Sequence, residues 1–261
     1  MGLAYERIGS GPPLVLLHGV GHRRQAWDAV LDRLRPQREA VLVDLPGHGE
    51  SPPLCLDGRP VLQAMLDEVI GLLDDLGLDR PHFAGNSLGG RLALEAGVAG
   101  RAATVTALAP AGFWRHRREV AYDKAVFKVM EFAGARTKRI APALCHSTTG
   151  RAIVYGAIVS RPSRLSPEQA LGDMAAFVAA KDALNQVLTG MTNFTGPVPK
   201  GVPVTIGWGT RDRLLFPRQA LVAKAYLPEA RLVRLRGCGH VPMTDDPAAV
   251  ASLLLRGSNR G

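Results

Sequence analysis

The chain has 261 residues, 46% of them hydrophobic and 21% charged, enough for one large core or a domain carrying an insertion, and unlike a disordered chain. Its net charge of +9 is uneven, because residues 113–200 hold 13 Lys and Arg against 6 Asp and Glu; without a nucleic-acid-binding motif beside it, this excess reads as a solvated cationic face or an attraction for anionic substrates or surfaces. No apolar run approaches a membrane span, the first residues lack the order of a secretory signal, and Cys55, Cys145 and Cys238 have neither the number nor the spacing of a disulfide framework or a zinc site, so a cytoplasmic protein without a metal is expected.

Residues 14–17 are four consecutive apolar residues between turn formers, the pattern of a strand buried on both faces. Residues 24–34 put Trp27, Val30, Leu31 and Leu34 at helical spacing and stop before Pro36. Residues 40–43 form the next buried strand, closing on Asp44-Leu45-Pro46-Gly47-His48-Gly49, and residues 62–76 a long amphipathic helix stopped by Gly77. This alternation is the grammar of an α/β fold.

Residues 81–85 then predict a strand and residues 88–97 a helix, with Gly85-Asn86-Ser87-Leu88-Gly89 between them. A serine on so tight a strand-to-helix turn needs neighbours without side chains two before and two after it, and the helix that follows aims unpaired N–H groups at it. A plain glycine-rich turn is the bland alternative. Residues 103–108 predict another strand, after which the alternation stops.

Residues 119–133 place Val120, Val126, Val129, Met130 and Ala133 at helical spacing, residues 152–159 form an apolar helix, and Ser166-Pro167-Glu168-Gln169 is a capping box opening a helix through residue 188. The expectation is a helical lid over residues 113–199, inserted into a core of residues 1–112 and 200–261. The α/β pattern resumes with strand 202–208, helix 217–226, strand 231–235 and helix 247–255.

Two of these later strands end in polar loops, Gly207-Trp208-Gly209-Thr210-Arg211-Asp212 and Gly237-Cys238-Gly239-His240. In a parallel sheet all carboxyl ends share one edge, so Ser87, Asp212 and His240 converge there. A serine hydroxyl needs an adjacent base, and an imidazole needs a carboxylate to fix its tautomer; the sequence supplies one of each in the order Ser, Asp, His.

Together with His18-Gly19-Val20-Gly21 and Asp44-Leu45-Pro46-Gly47-His48-Gly49, these blocks resemble the α/β-hydrolase superfamily across nearly the whole chain outside the lid. The resemblance implies a mostly parallel sheet flanked by helices, with Ser87 as nucleophile, His240 as general base and then acid, and Asp212 as the orienting acid. It also implies an oxyanion hole from the backbone N–H groups of Leu88 and Val20, and no cofactor. His18 is expected to brace the oxyanion loop, His48 to sit in a structural turn, and Asp245 and Asp246 to cap the last helix. His22, Trp114 and Phe194 are candidates for the wall of a substrate pocket, each with packing as the plainer role. Serine at the elbow disfavours the haloalkane dehalogenase and epoxide hydrolase chemistries, which use aspartate there.

The expected reaction is hydrolysis of a carboxylic ester of a small, mostly apolar molecule. The Gly-Asn-Ser-x-Gly-Gly elbow also resembles the meta-cleavage product hydrolases, which cleave C–C bonds, although those usually follow the catalytic histidine with tryptophan and here Val241 follows. A third alternative is a hydrolase-like small-molecule receptor that binds without turnover. Oligomeric state stays open.

Overall fold

Alternate residues of the central strands enter two different cores. Val15, Leu17, Val41, Val43 and Phe83 pack in one, Leu14, Leu16, Ala40, Leu42 and Ala84 in the other, all almost fully buried. A strand covered on both faces has no reason to alternate apolar with polar, which is why these runs are unbroken. The computed structural model describes residues 2–259. Strands β1 (Tyr5–Gly9), β2 (Pro13–Leu17), β3 (Glu39–Val43), β4 (His82–Asn86), β5 (Thr104–Leu108), β6 (Val204–Gly209) and β7 (Arg231–Leu235) form one sheet of order β1-β3-β2-β4-β5-β6-β7. Only β1 runs antiparallel, pairing Tyr5 with Val43 and Gly9 with Glu39. The sequence pattern did not reveal β1, whose residues are mostly exposed and carry no apolar run.

The helices in chain order are α1 (Asp28–Leu34), α2 (Val61–Asp75), α3 (Leu88–Val98), α4 (Arg117–Thr137), α5 (Ala141–His146), α6 (Thr148–Tyr155), α7 (Pro167–Ala179), α8 (Lys181–Gly190), α9 (Gln219–Tyr226), α10 (Pro242–Asp245) and α11 (Pro247–Gly257). Residues of α2, α3 and α9 fill one core, and those of α1 and α11 the other. A 3-10 turn, Arg24–Trp27, leads into α1 where a single helix was expected.

Between β5 and β6 the chain is helical, and three expectations there need correction. The helix expected over 166–188 divides at Ala180 (φ −78°, ψ 15°), because its halves bury different faces: Ala170 and Met174 of α7 enter one core and Val187 of α8 the other. The helix expected over 152–159 occupies Thr148–Tyr155 and is preceded by α5. In α4 the buried stripe is Glu119, Asp123, Phe127 and Gly134, while Val129 is 68% exposed. Ser166 does cap α7, accepting from Gln169 N–H at 3.1 Å. Among the described residues no helix is long and apolar enough to cross a membrane.

Candidate active site

The turn from β4 into α3 is made by a single residue, Ser87, at φ 57° and ψ −114°. A positive φ in a residue with a side chain is strained and persists only where its surroundings enforce it. Ser87 N–H donates to Leu108 O at 2.9 Å, and Ser87 O accepts from Arg91 N–H at 2.9 Å and Ala111 N–H at 3.1 Å. A Cβ on Gly85 would overlap the Gly89 carbonyl, and one on Gly89 would overlap the Leu17 carbonyl, so both positions admit only glycine.

Asp212 follows β6 and His240 follows β7, and both are buried. His240 Nδ1 lies 2.9 Å from Asp212 Oδ2, and Asp212 Oδ1 accepts from Leu214 and Leu215 N–H, each at 2.9 Å. An acceptor at Nδ1 places the ring hydrogen there and leaves Nε2 as the basic nitrogen. The His240 loop is tied on three sides. Ile158 O accepts from His240 and Val241 N–H at 2.8 and 3.0 Å, Asn86 Nδ2 donates to His240 O at 2.9 Å, and Asp245 accepts from Gly239 N–H at 2.6 Å. Asp245 also accepts from Ser160 and Arg161 N–H, so it joins the β7 loop to the inserted helices and is not the cap expected of it; Asp246 alone caps α11, accepting from Ala249 N–H at 3.0 Å. Neither Asn86 nor Asp245 was legible as a support of the loop, since both depend on backbone groups distant in sequence.

The loop after β2 carries Val20. His18 Nε2 accepts from Leu45 N–H at 3.0 Å, so Nδ1 holds the hydrogen and donates to Gly19 O at 2.7 Å; that carbonyl also accepts from His22 N–H. A planar trans peptide held by its carbonyl turns the next N–H, that of Val20, to the opposite side. Leu88 is the first residue of α3, where N–H groups have no partner within the helix. Asp44 is buried and structural, accepting from Arg24 N–H at 2.6 Å, the Arg24 guanidinium at 2.5 Å and Glu50 N–H at 3.0 Å. His48 Nδ1–H donates to Pro46 O at 3.0 Å, and its ring centroid lies 5.3 Å from that of His18.

Burial first, and His48 nearby second, hold His18 well below the usual imidazole pKa. The unfolded chain takes up a proton near pH 6.5 that the folded chain refuses, so stability is lost as pH falls below about 6.5, by about 1.4 kcal/mol per pH unit for one such group. Urea unfolding midpoints therefore fall between pH 7.5 and pH 5.5, and the fall is smaller in His18→Gln. Asp123, whose pKa is raised, acts in the opposite direction and is common to both proteins.

Ser87 stands between two spaces. A cavity of about 550 Å³ is lined by Gly19, Val20, Asn86, Ser87, His240 and Val241 from the sheet edge and by α4, α6 and α7 above it. Val126, Val129, Met130 and Ala133, on the apolar stripe of α4, line this cavity, and Val126 and Met130 also pack against the small cluster of Phe127, Leu184 and Leu214. A second recess of about 40 Å³ is lined by Val20, Ser87, Leu88, Trp114 and Asp123, with α8 closing it through Val187 and Leu188.

His22 lines the large cavity, its Nε2 3.8 Å from Asp173 Oδ2, and Trp114 lines the recess, its Nε1 donating to Asp123 Oδ2 at 2.5 Å. Phe194 lines neither, contrary to expectation. It is buried against Phe113 at 5.5 Å between centroids and under the Arg91 guanidinium, which donates to Thr192 and Asn193 carbonyls and so anchors the chain's return toward β6. Asp123 was missed by sequence reasoning. It is buried, its Oδ1 has no hydrogen-bond partner, and burial pushes its carboxyl up to about 7 against the opposing Trp114 hydrogen bond.

A seven-stranded, mostly parallel sheet with a serine elbow after β4 and a His–Asp pair on the same edge defines a hydrolase architecture. Residues 14–253 match the model of the alpha/beta hydrolase family, and the chain belongs to that family. It is 28% identical to an uncharacterized protein of Mycobacterium tuberculosis, over 97% of this chain and 77% of that one. It is 26% identical to Lipase 3 of a Moraxella species, over 90% and 74% of the two chains. In fold it is similar to 2-hydroxy-6-oxo-6-phenylhexa-2,4-dienoate hydrolase from Rhodococcus, with a TM-score of 0.73 at 19% identity, over 98% of each chain.

Proposed function

We propose that this hydrolase is a serine esterase that cleaves a carboxylic ester of a small, mostly apolar molecule. The observation that carries the reading is that His240, held by Asp212 at 2.9 Å, lines one cavity with the strained Ser87. Ser87 Oγ attacks the ester carbonyl while His240 Nε2 takes its proton, giving a tetrahedral oxyanion. Collapse breaks the bond to the alcohol oxygen, which leaves with the proton from His240. Water, deprotonated by the same nitrogen, then attacks the acyl-enzyme, and the acid departs as Ser87 recovers its proton. Val20 and Leu88 N–H groups hold the oxyanion, each contributing about 3 kcal/mol to the transition state. Asp212 fixes the tautomer and steadies the imidazolium.

Residues 113–199 act in this account as a lid that shapes the substrate space, with α4 offering apolar side chains to the large cavity. The acids Asp123 and Asp173 line the two spaces, and the one cation among the lining residues is the exposed Lys124. Asp173 is already paired with the Arg23 guanidinium at 3.2 Å, and the lining residues offer no Arg and no buried Lys to a substrate carboxylate, which favours a neutral ester over the anionic dienoates of C–C hydrolysis. Purified protein is expected to turn over p-nitrophenyl butyrate and to leave the visible absorption of a meta-cleavage product unchanged. Bleaching of that absorption without ester turnover reverses the assignment.

A further inference from the structure

We propose that the recess beside Ser87 is a binding site for a hydroxyl group on a short acyl chain, with Asp123 as the residue that recognises it. This deepens the esterase reading and rests on it.

The two acids on the buried stripe of α4 differ in their surroundings. Glu119 is fully engaged: Arg115 N–H, Arg218 Nε and Gln219 Nε2 all donate to its carboxylate at 2.8–3.0 Å, which fastens α4 to α9. Asp123, one turn further on, receives one donor, Trp114 Nε1 on Oδ2. Its Oδ1 is buried and bonded to nothing, and among the described residues no cation pairs with it. Lys124 lines the same recess but is exposed and makes no ion pair with Asp123. A buried acceptor without a donor is costly, and a polar group arriving with the substrate removes that cost. The recess is otherwise walled by Val20, Val120, Phe127, Val187 and Leu215, and about 40 Å³ leaves space for a group of one or two heavy atoms.

The chemistry of that group follows from the carboxyl. A substrate carboxylate is repelled by Asp123 when it is ionised. An ammonium needs it ionised, whereas burial raises its pKa to about 7, so both forms are populated at neutrality. A hydroxyl suits both forms, since it donates to the carboxylate and accepts from the acid. The side of the scissile bond follows from the same geometry. The leaving alcohol must receive its proton from His240, which lines the large cavity and not the recess. Leu88, the residue after the elbow, lines the recess and not the large cavity, so the acyl carbonyl faces the recess and only a hydroxyl carried by the acyl chain reaches into it.

The test compares kcat/KM for the p-nitrophenyl esters of butyrate and of 2- and 3-hydroxybutyrate, in the wild type, Asp123→Asn and Asp123→Leu. The wild type is expected to prefer the better hydroxylated ester by about tenfold or more, as for a substrate hydroxyl paired with a buried polar group. Asp123→Leu is expected to bring the ratio to about 1, with Asp123→Asn between. A purely structural Asp123 lowers all three rates together and leaves the ratio unaltered, which overturns the proposal. If Asp123→Leu does not fold, the wild-type ratio still decides, and a value at or below 1 overturns it. Wild-type protein that turns over none of the three esters removes the esterase reading itself, and this inference with it.

Discussion

Replacing Ser87 with alanine is expected to lower kcat for p-nitrophenyl butyrate by about 10⁴- to 10⁶-fold, the loss typical of removing the attacking hydroxyl from a triad of the kind proposed. The residual rate is what the oxyanion donors and substrate binding sustain alone. Nothing else in the site depends on that hydroxyl. The His240–Asp212 pair is held by Leu214 and Leu215 N–H groups, and the elbow by the backbone bonds of Ser87 to Leu108, Arg91 and Ala111. Ser87→Ala is therefore expected to keep the circular dichroism and urea midpoint of the wild type, so that the kinetic loss reports chemistry. Turnover within tenfold of wild type assigns the reaction to another group.

Gly89→Ala is expected to abolish soluble expression, or to lower stability by about 4 kcal/mol or more. Its methyl group would overlap the carbonyls of Leu17 and His18. These are backbone atoms of β2 and the loop beyond it, so no rotamer change relieves the clash and α3 must separate from the sheet. Gly201→Ala is the matched control, because a Cβ there meets nothing within 4 Å. Urea unfolding of the two variants reads the difference, and a Gly89→Ala protein with the wild-type midpoint contradicts the close packing of β2 against α3.

Six of the seven strands were legible because each is buried on both faces or ends in a loop of turn formers, and that burial writes an unbroken apolar run into the chain. β1 was not, since an exposed edge strand needs no such run. The places of Ser87, Asp212 and His240 at strand ends could be read from their turn residues. Not all of their supports could. Asn86 and Asp245 act through backbone groups that only the fold brings near, whereas His18, expected to brace the oxyanion loop, donates to Gly19 O and accepts from Leu45 N–H. The inserted helices were the least legible. Helical spacing finds an apolar stripe but does not tell a core from a cavity, and the stripe of α4 faces the cavity while two carboxylates occupy its buried side. Phe194 failed for a related reason, as an aromatic in a return segment packs under Arg91 as readily as it lines a pocket.

The account turns on Ser87 being the atom that becomes acylated. Incubating the protein with a fluorophosphonate and mapping the adduct by peptide mass spectrometry tests this directly. One phosphonyl group on Ser87, appearing as esterase activity disappears and absent from Ser87→Ala, is the result predicted. Complete inactivation with the label on any other residue contradicts it.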